Sequence, residues 1–155
     1  MPKIRLNELA HIAEIIAAVA VVMSLIYVGK EVQSNTAAVR GAAMQAVVTT
    51  DADALLTLAA DATLSEIVRL GHQDPSQLTP PDAFRYYLFM TQFWLSFQNI
   101  YQQSELGLMD QSVWLSYVSI ICRMVSRPGP QKTWSDHAGI LDTGFVAIVE
   151  ECENK

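Results

Sequence analysis

Apolar positions fall along this chain in two regimes. From Leu9 to Gly29 the sequence LAHIAEIIAAVAVVMSLIYVG is apolar almost without a break, and Ile15–Gly29 carries no charge. From Thr79 onward, apolar residues recur at helical intervals between turn signals. No stretch of useful length alternates apolar and polar residues. The expected fold class is therefore all-α, with an N-terminal transmembrane helix continuing into a small helical bundle.

The first regime has the dimensions of a membrane span. Leu9–Gly29 as a helix is about 32 Å long, against a hydrocarbon core of roughly 30 Å. The uncharged part alone covers about 22 Å, so His11 and Glu14 have to sit near one headgroup layer. Two alternatives fit less well. A cleaved signal sequence has a basic, acid-poor start and a small-residue cleavage site. Here Glu8 and Glu14 interrupt the start, and Tyr27-Val28-Gly29-Lys30 follows the run. A buried core helix is usually shorter and keeps a polar face, which residues 15–28 lack apart from Ser24 and Tyr27. The expected organisation is a flank over 1–8, the span over 9–29, a helical extension over 30–50 and an acidic helical domain over 51–155. Orientation stays open: Lys3, Arg5 and the amino terminus on one flank face Lys30 and Arg40 on the other.

One face of the span is small. Ala10, Ala13, Ala17, Ala20 and Ser24 repeat at alternating intervals, and the register continues through Tyr27, Glu31, Ser34, Ala38, Gly41 and Gln45. A mean period near 3.5 keeps such a seam against a partner helix. In lipid, small side chains favour association because they let backbones approach closely. Ile12, Ile15, Ile16, Val19, Val22, Met23 and Ile26 lie elsewhere on the helix, as a lipid-facing surface should. The seam points to a homo-oligomer or to docking on a larger membrane complex. Alanine abundance alone would give a similar stripe. His11 and Glu14, three residues apart, share a face and form a possible ion site with Glu31 in a symmetric assembly. An interfacial pair at headgroup level is the plainer reading.

Beyond the span, Thr49-Thr50-Asp51 is the first expected stop, with Asp51 or Asp53 capping a short helix over 54–60. A helix near 64–70 follows, ended by Gly71, and then a loop over 72–77. Thr79-Pro80-Pro81-Asp82 is a strong helix start, and Gly107 is its expected stop. Residues 86–104 carry no charge. Gln92, Gln98, Asn99, Gln102 and Gln103 nevertheless make them too polar for a second span. Tyr87, Trp94 and Tyr101, at heptad spacing beside Phe93 and Phe97, predict an aromatic packing face; an aromatic cleft for an apolar ligand is the alternative. Asp110 is expected to cap a helix over 114–125. Arg127-Pro128-Gly129-Pro130 reads as a break before a helical turn over 133–138, and Asp142 caps a last helix to about Glu151.

Composition changes this picture in one way. Charged residues are 17% of the chain, below the roughly 25% usual in soluble domains. Residues 1–40 hold four basic and three acidic side chains; residues 41–155 hold six basic and thirteen acidic. The acidic part lacks the basic footprint of a nucleic-acid binder, so no nucleic-acid partner is expected. It is also repelled by anionic lipid, which leaves the apolar segment as the contact with the lipid bilayer.

Candidate chemistry is sparse. The chain has no GxGxxG, P-loop, GxSxG, HExxH or CxxC, so no cofactor, metal or catalytic residue is assigned. His72 and Asp74 lack a third metal ligand. Asp136-His137 beside Trp134 are neighbours that a helix turns about 100° apart. Cys122 and Cys152, 30 residues apart, are expected as two free thiols, one of them buried. One disulfide in an oxidising compartment is the alternative.

Gln33, Asn35, Thr36, Ala38 and Arg40 directly after an apolar N-terminal helix form a loose pattern. It continues at Asn99-Ile100-Tyr101, Gln103, Gly107-Leu108, Asp110 and Trp114, and ends at Pro128-Gly129 and Trp134. In this the chain resembles a widespread uncharacterised bacterial family of small proteins with one N-terminal membrane helix and a helical domain. The resemblance implies a bacterial inner membrane location with the domain on the cytoplasmic side, and it implies no activity. The leading expectation is a non-catalytic, membrane-anchored interaction or scaffold subunit. A homo-oligomeric channel or ion-binding assembly using Glu14 or Glu31 is second, and a ligand-binding or enzymatic domain third.

Overall fold

The computed structural model describes residues 6–154, and side chains from Leu9 onward. The expected flank, with Lys3 and Arg5, lies outside the described residues for most of its length. Among the described residues there are six α-helices: α1 (Leu6–Ala60), α2 (Ala62–Gln73), α3 (Pro80–Glu105), α4 (Gln111–Val125), α5 (Pro128–His137) and α6 (Thr143–Glu153). Short 3-10 turns occupy Pro75–Gln77 and Ala138–Ile140, and no strand occurs among the described residues. The all-α expectation holds, with a long apolar N-terminal helix followed by a helical domain. The chain divides into two compact units between Gly41 and Ala42, inside α1.

In the first unit, every residue from 9 to 41 is exposed, apolar side chains included. Between Ile15 and Gly29 the helix carries no charged face, and its side chains find no internal cover.

The second unit has a continuous core. Met90, Trp94, Ile100, Ile121, Phe145 and Val149 are fully buried. The Trp94 ring lies 5.0 Å from that of Trp134, tilted by 59°, and the Trp134 ring meets Phe145 edge-on at 5.8 Å. Each such side chain contributes about 1.5–3 kcal/mol by leaving water. The Trp94 indole N–H is not left unsatisfied. It donates to Thr133 Oγ1 at 3.2 Å, and the Thr133 hydroxyl donates to the Pro130 carbonyl at 2.9 Å.

Local signals set most helix starts. Asp61 accepts from the Thr63 and Leu64 N–H groups at the head of α2. Thr79 caps α3 with prolines in its first turn, and Asp142 caps α6 through Gly144 and Phe145. Gly107 ends α3 with φ of +66°, a left-handed conformation that favours glycine.

Four boundaries differ from expectation. α1 does not stop at Asp51 but runs to Ala60. The Thr49, Thr50 and Thr57 hydroxyls are satisfied within the helix by the carbonyls of Gln45, Ala46 and Asp53 rather than capping a new one. Gly71 does not end α2. It is buried in that helix because a Cβ there would collide with the Tyr86 ring. The segment 72–77 is accordingly not all loop: α2 takes His72 and Gln73, and a 3-10 turn takes 75–77. The Pro128-Gly129-Pro130 break is itself the first turn of α5, where a missing N–H costs nothing. Asp110 precedes α4 as expected but makes no side-chain capping bond.

Candidate functional site

A helix advances about 100° per residue, which sorts the apolar segment into faces. On that count Ala10, Ala13, Ala17, Ala20 and Ser24 fall within a sector of about 80°. Ile12, Ile15, Ile16, Val19, Val22, Met23 and Ile26 fall within a separate sector of about 120° on the opposite side. All twelve are exposed. Glu31 lies in the sector of the small residues, two turns beyond Ser24.

His11 Nδ1 stands 3.7 Å from a Glu14 carboxylate oxygen, and both side chains are exposed. Glu14 and Glu31 are separated by about 26 Å along the axis, so one chain cannot bring them into a single ion site. Each would need the equivalent residue of other copies. Leu9–Ala60 holds the one helix, among those described, that is long and apolar enough to cross a membrane.

In the second unit the three aromatic residues share one side of α3 but not one environment. Trp94 is enclosed, as described. Tyr87 is 38% exposed and lies with its ring 4.9 Å from that of His137. Tyr101 is half-buried between Trp114 and Phe145. The fully buried line of α3 is Tyr86, Met90, Trp94, Phe97 and Ile100. Core packing thus absorbs the centre of the predicted face.

Both histidines of this unit are tied into the fold. His137 is buried, while Asp136 points to solvent, so the adjacent pair is not a dyad. The His137 Nδ1–H donates to the Thr133 carbonyl at 2.7 Å, and Nε2 meets the Thr91 hydroxyl at 2.8 Å. His72 Nδ1 is 3.3 Å from the Tyr86 hydroxyl, and burial together with the nearby Arg127 charge holds His72 below the usual histidine range. Asp74 turns instead to Ser76 and Gln77, whose hydrogen bonds hold its carboxyl low. Among the described residues, no three His, Cys, Asp or Glu side chains gather as metal ligands would.

A groove that the sequence did not suggest runs between α1 and α3. Thr50, Asp51, Asp53, Phe93 and Phe97 line a hollow of about 260 Å³. A neighbouring hollow of about 170 Å³ shares Asp51, Phe93 and Phe97 and adds Tyr117 and Ile120. Each is smaller than the usual 300–1,000 Å³ of a ligand pocket. The expected helix boundary at Asp51 concealed this groove, and no local signal pairs residues 50–57 with 92–97.

Cys122 and Cys152, expected as free thiols, form a disulfide. α4 and α6 pack side by side, and their Cα atoms lie 4.8 Å apart, within bridging range. Compared with known protein families, curated proteins and solved structures, the chain matches none.

Proposed function

We propose that this chain is a single-pass membrane protein that acts as a non-catalytic interaction or scaffold subunit. Leu9–Gly29 crosses the bilayer and associates, through Ala10, Ala13, Ala17, Ala20 and Ser24, with further copies or with another membrane subunit. The acidic helical domain is then displayed at one surface of a bacterial cytoplasmic membrane, the location that the family resemblance implies. The observation that carries this reading is the exposure of every residue from 9 to 29 in a segment this apolar. Left in water, such a surface aggregates; lipid and a partner helix are the media that suit it. The gathering of five small residues within one sector of about 80° supports association over a solitary anchor.

Size analysis in mild detergent tests the interface. Wild type runs as an oligomer or in a larger complex, and Ala17→Leu dissociates it by forcing the backbones apart. An unchanged assembly in Ala17→Leu removes the seam as the contact. A second reading, an ion-conducting or ion-binding assembly, draws on the His11–Glu14 pair and on Glu31 in the seam sector. Ion flux into liposomes that falls on Glu14→Gln favours it; no flux from a well-reconstituted oligomer excludes it.

A further inference from the structure

The disulfide bears on the orientation that basic residues leave open. Both cysteines of the chain are used, so no thiol remains free. The bridge joins α4 to α6 across 30 residues, which is neither a CxxC arrangement nor a local clip. Cys152 packs half-buried against the core, and Cys122 is half-buried beside it.

The place of the bridge has a physical purpose. The last turn of α6 carries Glu150, Glu151 and Glu153 and no basic residue, so its charges oppose the helix dipole. Cys152 lies in that turn and ties it covalently to α4. Such a bridge persists only where thiols are not kept reduced. Basic residues do not decide against an exported domain: Lys3, Arg5 and the amino terminus on one flank balance Lys30 and Arg40 on the other.

We infer that the Ala42–Lys155 unit lies on the oxidising side of the membrane, where Cys122 and Cys152 are a modification site for a disulfide-donating protein. The inference rests on the membrane-span reading above and departs from the cytoplasmic placement that the family resemblance implies. The chemistry is thiol–disulfide exchange. One cysteine, as thiolate, attacks a sulfur of the donor's disulfide and forms a mixed disulfide. The thiolate of the second cysteine displaces the donor. The two thiols here lose two protons and two electrons, and the donor's disulfide becomes two thiols.

The test uses the full chain in a bacterial host. Cells are quenched in acid, free thiols are blocked with a maleimide, and membranes are extracted with alkaline carbonate. The chain is then treated with polyethylene glycol maleimide before and after reduction. Carbonate-resistant protein that gains two adducts only after reduction is the expected result. A host lacking its exported thiol oxidase should reduce the oxidised fraction by tenfold or more. A C-terminal alkaline phosphatase fusion should be active and a green fluorescent protein fusion dark. Membrane-embedded protein with blocked, reduced cysteines, or with a fluorescent fusion, overturns the inference and leaves the span intact. Protein that carbonate releases, but that is oxidised, overturns the span and retains the oxidising compartment.

Discussion

The Tyr117 hydroxyl donates a 2.5 Å hydrogen bond to Asp51 Oδ2, joining α4 to the last third of α1 across 66 residues. Near it, Val47 is buried, and the Ser65 hydroxyl of α2 donates to the Leu58 carbonyl. These contacts make residues 44–60 of α1 part of the acidic domain. Hydrogen bonds to charged acceptors contribute about 1.5–3 kcal/mol when buried, and this one is partly open to water. Tyr117→Phe should therefore destabilise the unit by about 1 kcal/mol. Urea unfolding followed by the fluorescence of Trp94, Trp114 and Trp134 measures it. In a double-mutant cycle, Tyr117→Phe and Asp51→Asn should be less than additive.

The same bond predicts an alkaline limit. Desolvation, the bond to Asp51 and the Asp51 charge hold the Tyr117 hydroxyl above the usual tyrosine range. Burial does the same for Tyr86 against the opposing Arg127 charge. A pKa raised in the folded state gives stability that is complete below the unfolded value, about 10, and is lost as pH rises through the folded one. Tyrosinate absorbance should show these two groups ionising only as the domain unfolds. Tyr117→Phe should remove one late-ionising group.

His72 sets the opposite slope. Its folded pKa is depressed, chiefly by burial and secondarily by Arg127, so its contribution is complete above about 6.5 and is lost as pH falls. The melting temperature should decline from about pH 7.5 to 5.5, above the range where carboxylates titrate. His72→Gln should flatten that decline. An equal slope in the variant would assign the loss to another group.

Among the glycines, Gly129 has the least room for a side chain. A Cβ there would overlap the Gly71 carbonyl and the Tyr86 hydroxyl, and the carbonyl belongs to a backbone that cannot turn aside. Gly129→Ala should cost about 2 kcal/mol or more, as overpacking does. Gly139→Ala meets no atom within 4 Å and should stay within about 0.5 kcal/mol of wild type. Paired chemical denaturation curves decide between them.

Reduction measures the bridge. A loop of this length should make the disulfide worth roughly 3–4 kcal/mol on the chain-entropy estimate. Cys122→Ser with Cys152→Ser should lower stability by that amount and increase amide exchange first in the acidic last turn of α6.

What the sequence by itself determined is information that a few neighbouring residues hold. The apolar run of 9–29 needs only its own side chains to exclude water. Thr79 and Asp142 cap helices by reaching backbone N–H groups two or three residues on, and Gly107 ends α3 through its own φ. The small seam is likewise a property of one helix. Tertiary structure decided where a local signal had more than one use. Gly71 looks like a helix stop and Pro128-Gly129-Pro130 like a break, yet one gives room to Tyr86 and the other begins α5 against Gly71. Thr49-Thr50-Asp51 looks like a boundary, yet the threonines bond back into α1 and Asp51 is held by Tyr117. The spacing of Cys122 and Cys152 permits free thiols or a bridge, and only the packing of α4 on α6 brings their Cα atoms to 4.8 Å. Distances between residues 30 to 66 positions apart are set by how a core fills its volume, and no local pattern encodes them.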